Sequence, residues 1–372
     1  MIRPGEIARE GIQTVLRMLP WPTRAGLRSV GSPDEWSPVV VTGNYDLTVR
    51  RVLRALRRVD AWVVVAPSAG INVWCAAAGG HFTTHQVVTA LKTSGVDRRV
   101  RHRRAILPQL AATGVLAREV SRRCGWRVRF GPVYAEDLPR YLAQDGKKSD
   151  DMRRVRFDLR ERLEMAAAWG GPAALLLGGG AAGLKPAWAL PLAAQGALLA
   201  LAVFLAYDRL PGPRRLLLGG SALAASALAV TLAGGGLAAL TVAALSSVLL
   251  TGVLTFDYEG STPLEGASFF EGQDWHITLD RERCQGVYSC WEVCPEACFE
   301  KPEPGREAVE RKVDLVHDDR CIRCGACIVQ CPMDALHFSD GAGRTIPPDV
   351  IRRFKLNLLG RRVAGPDGAS PD

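Results

Sequence analysis

Between residues 165 and 255 the only charged side chains are Lys185, Asp208, Arg209, Arg214 and Arg215. A water-soluble fold has little use for so long a stretch without charge, so it reads as a membrane block between two soluble ends. Its polar breaks divide it into 165–184, 187–207, 216–234 and 237–256. Each piece is near the ~20 residues that cross a bilayer core. Lys185-Pro186 separates the first pair, Gly234-Gly235-Gly236 allows a hairpin in the second, and 208–215, with Pro211 and Pro213, forms the middle loop. The many glycines and alanines suit close helix packing in lipid. Under four crossings, the arginines of 153–162 and those of the middle loop fall on one side, while the opposite loops carry only Lys185. The basic side is expected to be cytoplasmic. The expectation is therefore a multi-pass inner-membrane protein with both soluble domains in the cytoplasm and the 153–162 run facing anionic lipid.

The formal net charge is +9, and arginines recur in 50–58 and 98–104. No helix-turn-helix, zinc-finger or RNA-binding signature accompanies them, so nucleic acid is not expected as a partner. The first twenty residues lack the apolar core and small-residue cleavage site of a signal peptide. From 39 to 143 short β-branched runs alternate with amphipathic stretches. Strands are predicted at 39–42, 62–66 and 126–130, and helices at 46–59, 84–92, 114–124 and 135–143. Strands separated by helix-length segments imply a parallel sheet with crossover helices.

Eight of the ten cysteines fall between Cys284 and Cys331. Cys321-x2-Cys324-x2-Cys327-x3-Cys331-Pro332 is the full bacterial run for iron–sulfur ligation, in which the fourth cysteine serves the other cluster. The preceding run is Cys284-x5-Cys290-x3-Cys294-Pro295, with Val287 where a second cysteine belongs. By the exchange rule Cys294, Cys321, Cys324 and Cys327 hold one [4Fe–4S] cluster, leaving Cys284, Cys290 and Cys331 as a three-ligand site. That site suits a [3Fe–4S] cluster, or a [4Fe–4S] cluster whose last iron takes a non-protein ligand. Thiolate ligation needs a reducing compartment. An α+β two-cluster ferredoxin domain passes single electrons and needs an upstream electron donor. Cys298 is expected as a thiol near a cluster, and Arg323 as an exposed side chain or a tuning charge beside one.

In Gly70-Ile-Asn-Val-Trp-Cys75-Ala-Ala-Ala-Gly-Gly80 a lone cysteine precedes a run of the smallest side chains, which would let a large flat group approach. The bland alternative is a buried structural cysteine at a helix start. Asn72-Val73-Trp74-Cys75-Ala76-Ala77 resembles the cap-helix motif of the corrinoid protein of microbial mercury methylation, a relative of the corrinoid iron–sulfur subunit of acetyl-CoA synthesis. Val41-Thr-Gly-Asn-Tyr45, Ile106-Leu-Pro-Gln-Leu110, Gly131-Pro-Val-Tyr-Ala135 and Met152-Arg-Arg-Val-Arg156 resemble other stretches of that family, as does a corrinoid domain followed by membrane helices. The cluster domain resembles the family's ferredoxin partner, here fused to it.

The resemblance implies a Rossmann-like corrinoid-binding domain contacted through Asn72, Val73, Trp74, Cys75, Ala76, Ala77, Thr42 and Gly131, with the Cys75 thiolate below the cobalt. It implies methyl transfer, with a methyl donor protein or methylated pterin as donor, mercuric ion as candidate acceptor, and the ferredoxin as reductant. Corrinoid methyl transfer to another acceptor in one-carbon metabolism, and a membrane-anchored ferredoxin without corrinoid, stay open beside it. The sequence departs from the family at Ala78-Gly79, where the family has glycine and lysine, at Val287, and in its tail, which lacks the partner's terminal cysteine pair. His81 and His85 could share a helix face, Cys124 is expected as a structural or exposed thiol, and Asp257 and Glu259 as interfacial. The layout expected is an N-terminal segment (1–37), the corrinoid domain (38–164), the transmembrane domain (165–256), a linker (257–273), the ferredoxin domain (274–345), and a helix with a disordered tail (346–372).

Overall fold

The computed structural model describes residues 4–210, 213–261, 275–302 and 312–354. They divide into two compact units. One joins the residues up to Leu19 to those from Arg156 through 261; the other joins 20–155 to the described residues from 275 on.

The second unit is built on a five-stranded sheet of β1 (Gly26–Val30), β2 (Val39–Gly43), β3 (Ala61–Ala66), β4 (Arg104–Leu107) and β5 (Arg127–Phe130), in the order β1-β3-β2-β4-β5. β2 to β5 are parallel and β1 is an antiparallel edge. The valine runs of β2 and β3 have a physical cause: a parallel sheet is covered on both faces and tolerates polar residues on neither. Side chains alternate accordingly, with Val39, Val41, Val64 and Ala66 in one core and Val40, Val63 and Val65 in the opposite one. The predicted strands at 39–42, 62–66 and 126–130 correspond to β2, β3 and β5; β1 and β4 were not anticipated. The chain leaves β2 for β3 on one side, then crosses back to β4 on the other. The carboxyl ends of β2 and β4 thus flank the switch point where open parallel sheets bind ligands.

Across its seam this unit carries the cysteine-rich domain. β6 (His276–Leu279), β9 (Leu336–Ser339) and β10 (Thr345–Ile346) form an antiparallel sheet, and β7 (Phe299–Glu300) pairs with β8 (Asp314–Leu315). Two short helices, Ser289–Val293 and Ala326–Gln330, repeat one local design. Each follows a residue in the left-handed region, Tyr288 (φ 62°) or Gly325 (φ 71°), and each is followed by another, Ala297 (φ 52°) or Asp334 (φ 53°). Gly286 and Arg323 match in the same way. Superposing the halves puts Cys284 on Cys321, Cys290 on Cys327, Cys294 on Cys331 and Val287 on Cys324. The helix at Pro348–Phe354 closes the domain; the predicted tail lies outside the described residues.

The first unit is helical: Pro4–Val15, Leu159–Leu184, Ala189–Ala206, Arg214–Leu232 and Leu237–Ser261. Three stretches among the described residues are long and apolar enough to cross a membrane: Pro186–Arg209, Arg214–Leu232 and Leu237–Tyr258, with mean hydropathies of 2.0, 1.6 and 2.2. By this measure three of the four spans expected from the sequence qualify, and the one at 165–184 does not. The helix Leu159–Leu184 opens on a charged turn and contains Pro172. Its glycines also dilute its apolar character while admitting the neighbouring helix: a Cβ at Gly178 would sit 2.8 Å from that of Ala193, and one at Gly170 3.2 Å from that of Ala200.

Several polar groups in this bundle are paired across helices. Arg162 donates two 2.8 Å hydrogen bonds to the Asp208 carboxylate and a third to the Phe204 carbonyl. Trp169 Nε1 donates to Asp257 at 2.9 Å, which gives the expected interfacial acid a structural partner; the Glu259 side chain lies outside the described residues. Deeper in the bundle, buried Gln195 donates to Ser247 Oγ at 2.6 Å and to the Ala243 carbonyl at 3.1 Å, and accepts from Ser246 at 3.1 Å. This knot ties two apolar helices where water cannot substitute. Side-chain hydrogen bonds between membrane helices are each worth about 0.6 kcal/mol, up to ~1.7. Gln195→Ala therefore lowers stability in detergent by about 1–2 kcal/mol on the same basis, read as an earlier denaturant midpoint; an unchanged midpoint would show that the knot does not join the helices.

Candidate functional site: an exposed thiol and two cysteine cages

The loop after β3 is fixed from the loop after β2. Asn44 Oδ1 accepts from the backbone N–H groups of Ser68 (2.8 Å) and Gly70 (2.9 Å). Ser68 Oγ donates to the Ile71 carbonyl at 2.9 Å and accepts from Asn44 N–H at 3.0 Å. Gly70 is required: at φ 68° a Cβ would lie 2.5 Å from the Pro22 nitrogen. This brace launches the short helix Val73–Ala78. Asn72 is its N-cap, accepting from Cys75 N–H at 3.0 Å, and its Nδ2 lies 3.4 Å from Cys75 Sγ. Val73, Ala76 and Ala77 are buried, Trp74 is half-buried and Cys75 is exposed. The bland reading of Cys75 as a buried core thiol is thereby overturned. An exposed sulfur flanked by Ala78 and Gly79 presents a soft donor on a surface poor in side chains, which fits a large planar metal complex.

The other residues expected to contact a corrinoid are placed differently. Thr42 is wholly buried in β2, and its Oγ1 has no hydrogen-bond partner among the described residues. Gly131 follows β5, buried against Ile106, and its carbonyl accepts from Lys148 at 3.2 Å. Neither is bonded to Cys75. His81 and His85 are both exposed, but His81 precedes the helix Thr84–Thr93, whose N-cap is Thr83, so the two share no helix face. No three metal-binding side chains among the described residues converge on a single ion. Cys124 Sγ donates to the Val120 carbonyl at 3.2 Å, a structural thiol near its helix end.

The cluster-domain cysteines surround two separate cavities. One is lined by Cys294, Cys321, Cys324 and Cys327, with Cys298 beside them. The other is lined by Cys284, Cys290 and Cys331, with Val287 on its wall. Backbone N–H groups point at the sulfurs: Cys298 N–H to Cys294 at 3.3 Å, Arg323 N–H to Cys321 and Ala335 N–H to Cys331, both at 3.4 Å. Such bonds are among the features that set cluster potentials. Burial pushes the Cys290 thiol up to about 12 and that of Cys327 well above its ordinary value. Thiols held this way ionise only when a cation shares the cavity, and iron supplies that charge. The donor set fits iron–sulfur clusters. Arg323 is half-buried, with its side chain bonded to the Trp275 carbonyl.

Between thiol and cages lies a polar seam that the sequence did not reveal. The turn Gln109–Thr113 packs on the Cys75 helix so closely that a Cβ at Gly114 would be 2.6 Å from the Ala77 carbonyl oxygen. On its other side Gln109 Nε2 donates to the Arg153 carbonyl at 2.7 Å and lies 3.4 Å from the carbonyls of Val293 and Cys294. Lys148 Nζ reaches Gln109 Oε1 (2.9 Å), the Gly131 carbonyl and the Glu292 carbonyl (2.7 Å). Burial lowers its pKa to about 7. Gln330 Nε2 donates to the carbonyls of Ala112 and Val115, both at 2.7 Å. Arg153 donates to the Trp291 carbonyl and stacks 3.8 Å from that ring. In sequence, Lys148 sits in a polar run that looks like a solvated loop, and a glutamine carries no signal of its partner.

Residues 7–142 match the family described as CO dehydrogenase/acetyl-CoA synthase delta subunit, and residues 315–337 match the 4Fe-4S binding domain. The chain is similar to the acetyl-CoA decarbonylase/synthase complex subunit gamma of Methanopyrus kandleri, 33% identical over 34% of this chain and 28% of the relative. It is also similar to that of Methanothermobacter thermautotrophicus, 34% identical over 38% of this chain and 31% of the relative. Subunit gamma 2 of Methanosarcina thermophila is 37% identical over 31% of this chain and 25% of the relative. The chain thus spans under a third of the length of these relatives. Its N-terminal α/β domain is similar to subunits of acetyl-CoA-handling complexes, and a ferredoxin motif follows in the same chain.

Proposed function

We propose that this chain is a membrane-associated, corrinoid-dependent methyl-transfer protein carrying its own ferredoxin reductant. The observation that carries the reading is the exposed, N-capped Cys75 thiol, placed beside a Rossmann-like sheet whose α/β domain is bonded directly to two cysteine cages. A corrinoid, when bound, supplies a cobalt centre able to carry a methyl group. The residues present define what the protein adds. Asn72 fixes the first turn of the Cys75 helix and orients the sulfur. The small side chains at Ala76 and Ala77 let that helix sit against its supporting turn, and Ala78 and Gly79 leave the outer surface clear. A thiolate at Cys75 would donate electron density from the protein side and favour release of the methyl group to an electrophile. Mercuric ion is the acceptor that the sequence resemblance suggests; an acceptor in one-carbon metabolism is the second reading, favoured by the similarity to acetyl-CoA decarbonylase/synthase subunits. The donor is proposed to be a methylated pterin or a methyl donor protein.

Cys294, Cys321, Cys324 and Cys327 are proposed to hold a [4Fe–4S] cluster. Cys284, Cys290 and Cys331 are proposed to hold a [3Fe–4S] cluster, or a [4Fe–4S] cluster completed by a non-protein ligand. Electrons come from an upstream one-electron donor. Because 20–155 and the cluster domain share one unit, the intervening chain must return to the membrane face it left. An even number of crossings follows. This supports Leu159–Leu184 as a fourth span beside the three more apolar helices, with both soluble domains on the cytoplasmic face of the inner membrane.

Three outcomes are expected. Protein purified anaerobically in detergent and supplied with cobalamin binds about one cobalt, with a thiolate-shifted visible spectrum. Cys75→Ala loses that shift and keeps its iron and sulfide; iron without any cobalt in the wild type would leave a membrane-anchored ferredoxin. Val287→Cys restores the second cysteine of the first half and converts a three-iron cluster to a four-iron one. The oxidised-state paramagnetic signal then disappears, and a signal that persists with full iron content would place Val287 away from the cluster. Cysteines introduced at Lys185 and Gly235 react with an impermeant reagent from the same, periplasmic side of intact cells. Labelling of only one of them would break the even count.

A further inference from the structure

The seam between the α/β domain and the cluster domain is asymmetric. Cys324 packs against the α/β core, together with Val293 and Ala326. The Cys294 carbonyl faces Gln109. Both cysteines line the four-cysteine cavity. The three-cysteine cavity includes Val287, which is 53% exposed. The four-cysteine cavity thus has a ligand packed into the α/β core, whereas the three-cysteine cavity meets that domain only at its edge, through Arg118 on the Pro332 carbonyl, and carries the exposed Val287 on its wall. The seam itself is not a surface of loose contacts. Gln109, Lys148 and Gln330 each satisfy backbone carbonyls across it, and buried carbonyls left without donors are costly. Separating the domains would exchange these bonds for bonds to water and at once uncover Val293, Ala326 and Cys324, which pack in the α/β core.

We propose that the cluster domain is a fixed rather than a shuttling electron donor, docked by Gln109, Lys148 and Gln330 so that its four-cysteine site is the exit and its three-cysteine site the entry. This rests on the cluster and corrinoid reading above. With clusters in place, a soluble low-potential one-electron carrier would give one electron to the three-cysteine site beside Val287, and that electron would pass to the four-cysteine site and leave through the 109–115 turn to an acceptor held at the Cys75 helix. No proton or bond change is required within the protein, and a fixed short path suits single-electron transfer.

The test needs no corrinoid. A nitroxide is attached to Cys75 in a Cys124→Ser background with the clusters assembled, and its relaxation is measured with the clusters oxidised and dithionite-reduced. A docked domain gives a redox-dependent relaxation enhancement that is unchanged on ten-fold dilution. Lys148→Met combined with Gln330→Ala abolishes most of it while iron and sulfide stay at the wild-type content. Cys284→Ser, which removes the entry cluster, leaves the enhancement in place. In the wild type, potentiometric titration follows the midpoint of the cluster that Cys284→Ser retains. No enhancement in the wild type, or enhancement that survives the double variant, would overturn fixed docking. Enhancement that tracks the three-cysteine cluster would overturn the order of the sites. Since cobalt binding is measured separately, loss of the corrinoid reading would leave these results standing.

Discussion

The polar seam centred on Gln109 and Lys148 makes one body from two stretches of chain that the apolar helical block separates in sequence. A lysine ammonium brought into a protein interior loses its hydration, and burial here lowers its pKa to about 7. What compensates is a set of three oxygens at hydrogen-bond distance, supplied by a side chain, the loop after β5 and the cluster domain. Such a group tolerates its position only while all three remain in place. Gln109 is held from both sides in the same way, its oxygen by Lys148 and its nitrogen by the Arg153 carbonyl. The order of the cluster domain relative to the sheet therefore follows from the requirement that buried polar groups be paired.

That requirement also ties the cysteine-rich domain to the Cys75 helix. The 109–115 segment has no side chain larger than leucine, and Gly114 lets it sit against Ala77 at backbone distance. Small residues at 76, 77 and 114 thus bring the Cys75 helix down onto its support, and a bulkier residue at any of the three would lift it.

What could be read from the sequence follows from how local each signal is. β2 and β3 were legible because parallel strands buried on both faces need runs such as Val39–Val41 and Val63–Val65, and the edge strand β5 because Trp126, Val128 and Phe130 alternate with arginines. β4 was missed because Arg104-Ala-Ile-Leu107 follows a basic run and offers only two large apolar residues, and β1 because an edge strand is only half-buried. The grouping of cysteines was legible because spacing dictates which thiols a short helix can bring together. The left-handed residues that repeat around each half were legible only in part. Gly286 and Gly325 are the usual occupants of such positions, whereas Tyr288, Ala297, Arg323 and Asp334 give no warning of theirs. The exposure of Cys75 depends on the glycine at 70 and on the Asn44 brace, the latter remote from it in sequence. The seam was illegible because its partners are backbone carbonyls, which every residue possesses.

The overcount of apolar spans has a physical source that bears on topology. Hydropathy measures the preference of isolated side chains for lipid, and glycine scores poorly because it has no side chain. The helix Leu159–Leu184 spends its apolar character on contact: Gly170 and Gly178 admit the alanines of Ala189–Ala206, so one helix shields part of the other. A helix packed in this way needs less intrinsic hydrophobicity to remain in the bilayer, because fewer of its own atoms meet lipid. Pro172 is tolerated in such a helix for the same reason, since neighbouring helices can meet the freed backbone groups. The even crossing number proposed above and the close glycine packing of the first helix point the same way, although they arise in different parts of the chain. On that proposal the seam sets where the chain returns, and the packing explains how a helix of modest hydropathy could supply a fourth span.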